Sequence, residues 1–485
     1  MSKEGLKIYN TITGEKEKFI PINKSTVGMY TCGPTTYNFI HLGNARPLVI
    51  FDTVRRYLEY VGYEVVYIQN FTDVDDKIIN KAQKEEILPL DLAEKYIEEY
   101  FKDADALNVK RASVHPRVSR NMEEIINFVE GLVKKGYAYV VEGDVYFEVS
   151  KFKKYGKLSK RTLENLWAGA RVKVDERKRH PGDFALWKKV KQGELWWDSP
   201  WGQGRPGWHI ECSAMSKKYL GTSFDIHGGG FDLIFPHHEN EIAQSEAFNG
   251  VLMAKYWMHN GFITVNQEKM SKSLGNFFLI REIFQKYSPQ VVRFYLLSTH
   301  YRSLLDFDDN KLEVARKGLE RLETAYRLLE EAKDREVGDD TLSLEFIEKS
   351  TRELQNIEQR FEEAMDDDFN TALAIAVLFD FARSINGIIS SLQGKTVGIK
   401  EKLFFEKVGN EYLKLTSVLG IKMSSRKSEE ECSGLIDPLI QILIKVRCEA
   451  KERKDYNTAD NIRDELKSVG IALEDTPQGV RWKYL

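Results

Sequence analysis

VGMYTCGPTTYNFIHLGNARPLVIFDTVRRYLEYVGYEVVYIQNF, residues 27–71, decides the architecture. Its first six residues, VGMYTC, read as a short strand, and the Gly33-Pro34 step that follows is turn chemistry. From about residue 44 to 61, Leu48, Phe51, Val54 and Leu58 recur at helical spacing. Pro47 suits only the first turn of that helix, because it has no N–H to give to a helix interior. EVVYIQNF (64–71) is β-branched and aromatic without alternation, the pattern of a strand buried on both faces. Strand, helix and strand make a βαβ unit, so the chain is expected to open an α/β fold with a doubly wound parallel sheet.

Outward from this unit, helical stretches run over about 75–107 and 120–136. A basic segment, KFKKYGKLSKRTLENLWAGARVKVDERKRHPGDFALWKKVK (151–191), and the Trp-, Gly- and Pro-rich LWWDSPWGQGRPGW (195–208) then interrupt the pattern. α/β character returns with FDIHGGG (224–230), a helix beginning near His237 and a strand around YWMHNGFITV (256–265). The sheet is therefore expected in two halves, 1–119 and 206–265, around an insert at 120–205. Residues 311–421 are charge-rich with Leu319, Leu322, Tyr326 and Leu329 at helical spacing, which implies a helical bundle. KMSSRKSEEECSG (422–434) is polar and reads as a linker. Residues 435–485 read as a small mixed domain, a helix pair and a terminal hairpin turning at Pro477 to Gly479.

The chain has 485 residues, enough for about three to four domains. With 42% hydrophobic and 30% charged residues it has globular rather than disordered composition. No apolar run is read as a membrane helix and the N-terminus lacks an apolar signal core, so a soluble, cytoplasmic protein is expected. The net charge of -3 hides an asymmetry: residues 151–191 hold 14 Lys or Arg against 4 Asp or Glu. With Phe152, Tyr155, Trp167 and Trp187 interleaved, that segment can neutralise nucleic-acid phosphates, or simply be a solvated face. Four scattered cysteines, Cys32, Cys212, Cys432 and Cys448, are too few for a disulfide framework and point to metal or catalytic use.

Three constellations carry chemistry. His41-Leu42-Gly43-Asn44 stands between a strand and a helix, where free N–H groups and the helix dipole favour a phosphate and the glycine permits close approach. Alone it is a weak signal. Lys269-Met270-Ser271-Lys272-Ser273 supplies its partner, a loop with two lysines placed for a triphosphate and a departing pyrophosphate. Cys32, Cys212 and the run Pro236-His237-His238-Glu239-Asn240-Glu241 hold zinc-type donors. His237 is four residues and His238 three residues from Glu241, so spacing leaves both histidines open; small core cysteines and a hydrogen-bonded histidine cluster are the plainer alternative. A zinc hydrolase is disfavoured because HHENE lacks the second histidine of H-E-x-x-H. Last, Phe71-Thr72-Asp73-Val74-Asp75-Asp76-Lys77 lies where open sheets bind ligands. Thr72 is placed to bond substrate, Asp73 to cap a helix, and three carboxylates to hold Mg²⁺ or, more plainly, to cap.

Together YTCGPTTYNFIHLGNARP, NFTDVDDKI, GRPGWHIECSAMS, FDIHGGGFDLIFPHHENEIAQSEA and KMSKSLGNF, spread from Tyr30 to Phe277, resemble the cysteinyl-tRNA synthetases, and NTADNIRDELKSVGIALEDTPQGVRW resembles the end of a bacterial-type member. The resemblance implies a class I aminoacyl-tRNA synthetase: a Rossmann-type catalytic domain split by a connective insert, a stem-contact segment at 266–310 bearing the KMSKS loop, a helical bundle and an anticodon-binding end. It implies one zinc per chain on Cys32, Cys212, His237 and Glu241. It further implies ATP on His41, Gly43, Asn44 and Lys269 to Ser273, with His41, Asn44, Lys269 and Lys272 catalytic, and substrate on Thr72, Trp208, His227 and Asp232. Many class I signatures have a second histidine where this chain has Asn44, which offers a hydrogen bond but no charge.

The implied reaction activates L-cysteine with Mg²⁺-ATP and transfers it to the terminal adenosine of tRNA(Cys). It needs alignment and charge stabilisation rather than a covalent enzyme intermediate. Serine differs from cysteine only by oxygen for sulfur, and an apolar pocket separates near-isosteres by about 10²-fold. A zinc ion that takes the substrate sulfur would supply the discrimination without an editing domain. Arg463, Arg481 and Trp482 are candidates for anticodon contacts, and a monomer is expected. A cysteine ligase acting on an amino-sugar, as in the mycothiol pathway, would share zinc and nucleotide motifs but lacks the anticodon-binding end.

Overall fold

The computed structural model describes residues 5–161, 176–191, 193–265, 268–269, 277–338, 342–392, 396–423, 429–476 and 479–484, which divide into one unit up to Met423 and a second from Ser424. In chain order the first unit opens with the hairpin β1 (Lys7–Asn10) and β2 (Glu15–Lys18), then β3 (Thr26–Thr31), α1 (Leu42–Tyr60), β4 (Glu64–Gln69), α2 (Asp76–Glu85), α3 (Pro89–Ala106) and α4 (Met122–Lys134). The insert follows as β5 (Ala138–Val141), β6 (Asp144–Phe147), β7 (Phe184–Lys189) and β8 (Gly204–Pro206), an antiparallel sheet in that order. The second half holds α5 (Trp208–Leu220), β9 (Phe224–Gly230), α6 (Glu239–Asn249) and β10 (Ala254–Asn260).

The two halves meet in one parallel sheet of order β10-β9-β3-β4, with Met29 opposite Ile226 and Tyr30 opposite His227 across the junction. Both faces are covered, as a parallel sheet requires. Met29, Tyr67 and Met258 face a core shared with α1, while their neighbours Tyr30, Ile68 and Trp257 face a second core built with α4, α5 and α6. Gly228 is needed at the first face, since a Cβ there would collide with the Phe51 ring of α1.

Four expectations change. The helix begins at Leu42 rather than near residue 44, so Pro47 sits in its second turn, where the Gly43 carbonyl loses its usual donor. The stretch 231–238 is irregular and regular helix starts at Glu239. The strand expected over 256–265 is two strands, because Gly261 ends β10 and donates its N–H to Tyr301 O (2.9 Å). Its continuation β11 (Ile263–Val265) joins a different sheet, with β12 (Glu268–Lys269) and, beyond α7 (Ile280–Phe284) and α8 (Pro289–Leu297), β13 (Leu305–Phe307). The polar 422–434 is not all linker: helix resumes at Glu429, where three consecutive glutamates favour a helix N-terminus.

The bundle is α9 (Asp309–Lys333), α10 (Leu344–Asp366), α11 (Thr371–Ser391) and α12 (Ile399–Val418). Leu319, Leu322, Tyr326 and Leu329 are buried in it as their spacing predicts. Contrary to the expectation from apolar runs, α11 is long and apolar enough to cross a membrane. Its apolar residues Leu378, Phe381 and Ile385 are buried in the bundle, and its Asp380 pairs with Arg360 and Arg383. Arg293 of α8, wholly buried, ties the bundle to the sheet domain. It donates to Asp52 Oδ2 of α1 (2.5 Å), Leu107 O (2.9 Å) and Leu419 O (2.7 Å).

The second unit is α13 (Glu429–Glu452), α14 (Tyr456–Ser468) and the antiparallel hairpin β14 (Ile471–Thr476) and β15 (Gly479–Tyr484). Its core is Ile440, Ile444, Leu466 and Leu473, with Cys448 and Trp482 packed against it.

Candidate active site and metal centre

The carboxyl ends of all four parallel strands open into one cleft of about 400 Å³, lined by Thr31 of β3 and the adjoining Cys32, Gln69 of β4, Gly229 and Gly230 of β9 and Asn260 of β10. His41, Gly43, Asn44, Thr72, Trp208, Cys212, Asp232 and His237 line it as well.

Cys32 follows β3 directly, and its neighbour Gly33 lies so close to Asn70 that a Cβ would overlap the Asn70 carbonyl oxygen. Gly33 N–H donates to Asn70 Oδ1 at 3.0 Å. This close pairing sets the Cys32 sulfur 3.6 Å from Cys212 Sγ and 3.3 Å from Glu241 Oε1. Cys212 comes from the second turn of α5, and Glu241 from the first turn of α6, wholly buried. His237 Nε2 is 3.0 Å from Glu241 Oε1 yet makes no hydrogen bond, although it is buried. One donor atom each from Cys32, Cys212, His237 and Glu241 lie within 4.8 Å of one another.

A second set, Cys32, His227, His238 and Glu241, satisfies the same limit. The two differ in what their nitrogens already do. His227 Nε2 is 2.8 Å from Glu241 Oε2, and His238 Nε2 is 3.4 Å from Cys32 Sγ while its Nδ1 is 2.8 Å from His259 Nε2. His237 is oriented from its other side, with Nδ1 2.9 Å from His209 Nδ1, leaving Nε2 aimed at the cluster. Cys32, Cys212 and His237 also line the cleft, so a ligand there can reach them.

The electrostatics favour a cation. Burial alone would lower His237, but the nearby Glu241 carboxylate and Cys212 sulfur raise it to about 10. Burial would raise Glu241, but His227 and His237 hold its carboxyl well below the usual range. Burial likewise opposes ionisation of Cys212, yet its hydrogen bond with Cys32 and the nearby His237 bring it down to about 6, while burial and Cys212 push Cys32 up. Two sulfurs, one imidazole nitrogen and one carboxylate oxygen are a donor set of the kind a tetrahedral zinc site uses.

Around this centre, Trp208 stacks on the His237 ring with centroids 4.2 Å apart and remains 42% exposed. Thr72 Oγ1 donates to Glu211 Oε2 at 3.0 Å, and burial pushes the Glu211 carboxyl well above the usual range. In the same lining His41 caps α1, and its N–H donates to Asn44 Oδ1 at 3.3 Å. The amide of Asn44 therefore has a local role that needs neither charge nor proton.

The remaining expected residues fall out as follows. His227 is wholly buried behind Glu241, holding the carboxylate rather than facing the cleft. Lys269 lies in β12, whereas Met270, Ser271, Lys272 and Ser273 lie outside the described residues. Helix α2 is capped by Asp75, which accepts from Lys77 N (2.8 Å), not by Asp73, which accepts from Ser119 N (2.9 Å). Asp76 pairs with Lys188 (3.2 Å) and with Arg205 of the insert, so these carboxylates are engaged rather than gathered for a metal. Arg463 is exposed, Trp482 is half-buried on its small core, and the side chain of Arg481 is outside the description. His209, Glu211 and His259 are the site residues that the sequence reading missed. His209, three residues before Cys212 on one helix face, had a local signal; His259 had none.

The pattern described as tRNA synthetases class I (C) catalytic domain matches residues 18–317, and the DALR domain pattern matches 360–423. The cysteine–tRNA ligase of Desulforamulus reducens is 61% identical over 487 residues, covering 99% of each chain. That of Pelotomaculum thermopropionicum is 60% identical over 486 residues with the same coverage. The chain belongs to the cysteine–tRNA ligase family. Solved structures add the fold: Mycobacterium tuberculosis methionyl-tRNA synthetase with methionyl-adenylate superposes with a TM-score of 0.58 at 14% identity, covering 81% of this chain and 90% of that one. A putative arginyl-tRNA synthetase from Campylobacter jejuni gives 0.57 at 14% identity, covering 84% and 94%. Within the cysteine–tRNA ligase family, the matched catalytic region contains every cleft residue named above, and the DALR match lies in α10 to α12 and the residues that follow.

Proposed function

We propose that this chain activates L-cysteine with Mg²⁺-ATP, forming cysteinyl-adenylate and pyrophosphate, and transfers cysteine to the 3′-terminal adenosine of tRNA(Cys), acting as a cytoplasmic monomer. The observation that carries this reading is the meeting of Cys32, Cys212, His237 and Glu241 beside a cleft that the His41 helix start also lines. These four residues would hold one zinc ion. When bound, zinc lowers the pKa of a thiol and binds sulfur far better than a hydroxyl, which separates cysteine from serine.

The chain's own groups do the rest. Trp208, stacked on His237 in the cleft lining, is assigned to the substrate side chain, and Thr72 to the substrate amino group. The dipole at the start of α1 favours a phosphate, and the His41 ring lies edge-on to Phe277 with centroids 4.6 Å apart. Lys269 and Lys272 are assigned to the pyrophosphate. The substrate carboxylate is itself the nucleophile, so alignment and charge neutralisation suffice.

Pyrophosphate exchange with cysteine and with serine, beside metal analysis, tests the reading. The purified chain should hold one zinc and exchange with cysteine only. Cys212→Ser should lose zinc and cysteine-dependent exchange together; retained zinc with normal cysteine activation would refute it.

A further inference from the structure

Among the cleft residues, Lys77 has no part in the chemistry above. It is the second residue of α2, is exposed, and lines the cleft with Tyr37, Thr72 and Trp208. Its ammonium lies 5.5 Å from the Tyr37 ring centroid. Among the described residues no carboxylate pairs with it, because Asp73, Asp75 and Asp76 are taken as described above. Lys81, one turn on, is tied down instead, donating to Tyr37 O (3.0 Å) and Tyr96 Oη (2.7 Å). Lys77 is thus a cation held over the cleft with its charge unspent.

Its place says which anion it meets. Asp76, its chain neighbour, is bound by Lys188 of β7 and Arg205 of β8, so Lys77 stands at the seam between the catalytic sheet and the insert. The nucleotide signature at the start of α1 lines the same cleft, away from the insert that Asp76 engages. An ammonium on a flexible stem is a point charge that suits a mobile phosphodiester better than a fixed bidentate partner. We infer that Lys77 binds a backbone phosphate of the single-stranded 3′ end of tRNA and guides the terminal adenosine toward the adenylate. This rests on the proposed ligase reading.

The test compares Lys77→Met and Lys77→Arg with the parent chain in two assays: cysteine-dependent pyrophosphate exchange, which needs no tRNA, and single-turnover transfer from preformed adenylate to tRNA at several salt concentrations. Lys77→Met should lower transfer efficiency by about tenfold at low salt, more than any change in exchange, since one charged hydrogen bond is removed. The slope of log affinity against log salt should fall by roughly 0.7, the share of one single-strand phosphate. Lys77→Arg should recover most of the loss. An equal loss in both assays would place the contact on ATP and overturn the inference, as would transfer and salt slope that do not change. Absence of cysteine-dependent exchange in the parent chain would instead sink the ligase reading itself.

Discussion

Acidification should loosen the edge of the catalytic sheet through one histidine. His115 lies in a segment that runs beside β4, where Gln69 N–H donates to Val114 O (3.2 Å) and Phe71 N–H to Pro116 O (2.8 Å). Its Nδ1 donates to Gln69 O at 3.0 Å, its Nε2 accepts from Ala112 N–H at 3.1 Å, and its ring stacks on Phe71 with centroids 5.3 Å apart. Both nitrogens are satisfied only in the neutral ring, because a proton on Nε2 would face the Ala112 N–H. Burial first, then the Arg111 charge, lowers its pKa from 6.5 to about 4, against the opposing pull of the Gln69 carbonyl. A depressed folded pKa means that the stabilisation is complete above the unfolded value and is lost as pH falls toward the folded one. Linkage makes the loss about 2 kcal/mol at about pH 5 and about 3 kcal/mol below about pH 4. Urea unfolding followed by tryptophan fluorescence at about pH 7 and about pH 5 reads it directly. His115→Phe keeps the stacked ring and removes the titration; it should be less stable by about 1–2 kcal/mol at neutral pH but lose about 2 kcal/mol less on acidification. The other buried histidines are common to both proteins and cancel in the difference. Equal acid losses in the two proteins would refute the argument.

Two further outcomes follow from the packing. Arg293→Met removes the donor to the carbonyls of Leu107, Asn108 and Leu419 and one of the donors on Asp52, which keeps Arg56 (2.7 Å) and the Lys110 N–H (2.9 Å), so it should destabilise the first unit by about 2–3 kcal/mol, read as a lowered melting temperature. A variant melting like the parent would contradict that role. Removal of residues 424–485 takes away a unit with its own small core. It should spare cysteine-dependent pyrophosphate exchange while tRNA charging falls; loss of both would assign the unit a structural role.

Local pattern carried much of this protein's plan. Residues 27–71 announced strand, helix and strand because apolar spacing along a chain reports which faces will be buried, and the sheet indeed forms from 26–31 and 64–69. Bundle positions such as Leu319 and Leu329 were legible for the same reason. What failed was local geometry set by distant partners. Pro47 sits in a second turn, Asp73 is claimed by Ser119 rather than a cap, and the insert's antiparallel sheet joins strands separated by basic and Trp-rich sequence.

The candidate metal centre divides in the same way. Residue types and the spacing of His237, His238 and Glu241 were present in the sequence, and they left two histidines equivalent. Tertiary structure separates them, because His259 from β10 and Cys32 from β3 engage the His238 nitrogens, while His209 from α5 turns the free His237 nitrogen toward both sulfurs and the cleft. Periodicity encodes which side of an element is buried; which atom of a buried ring remains available depends on neighbours brought together only when the two halves of the sheet join.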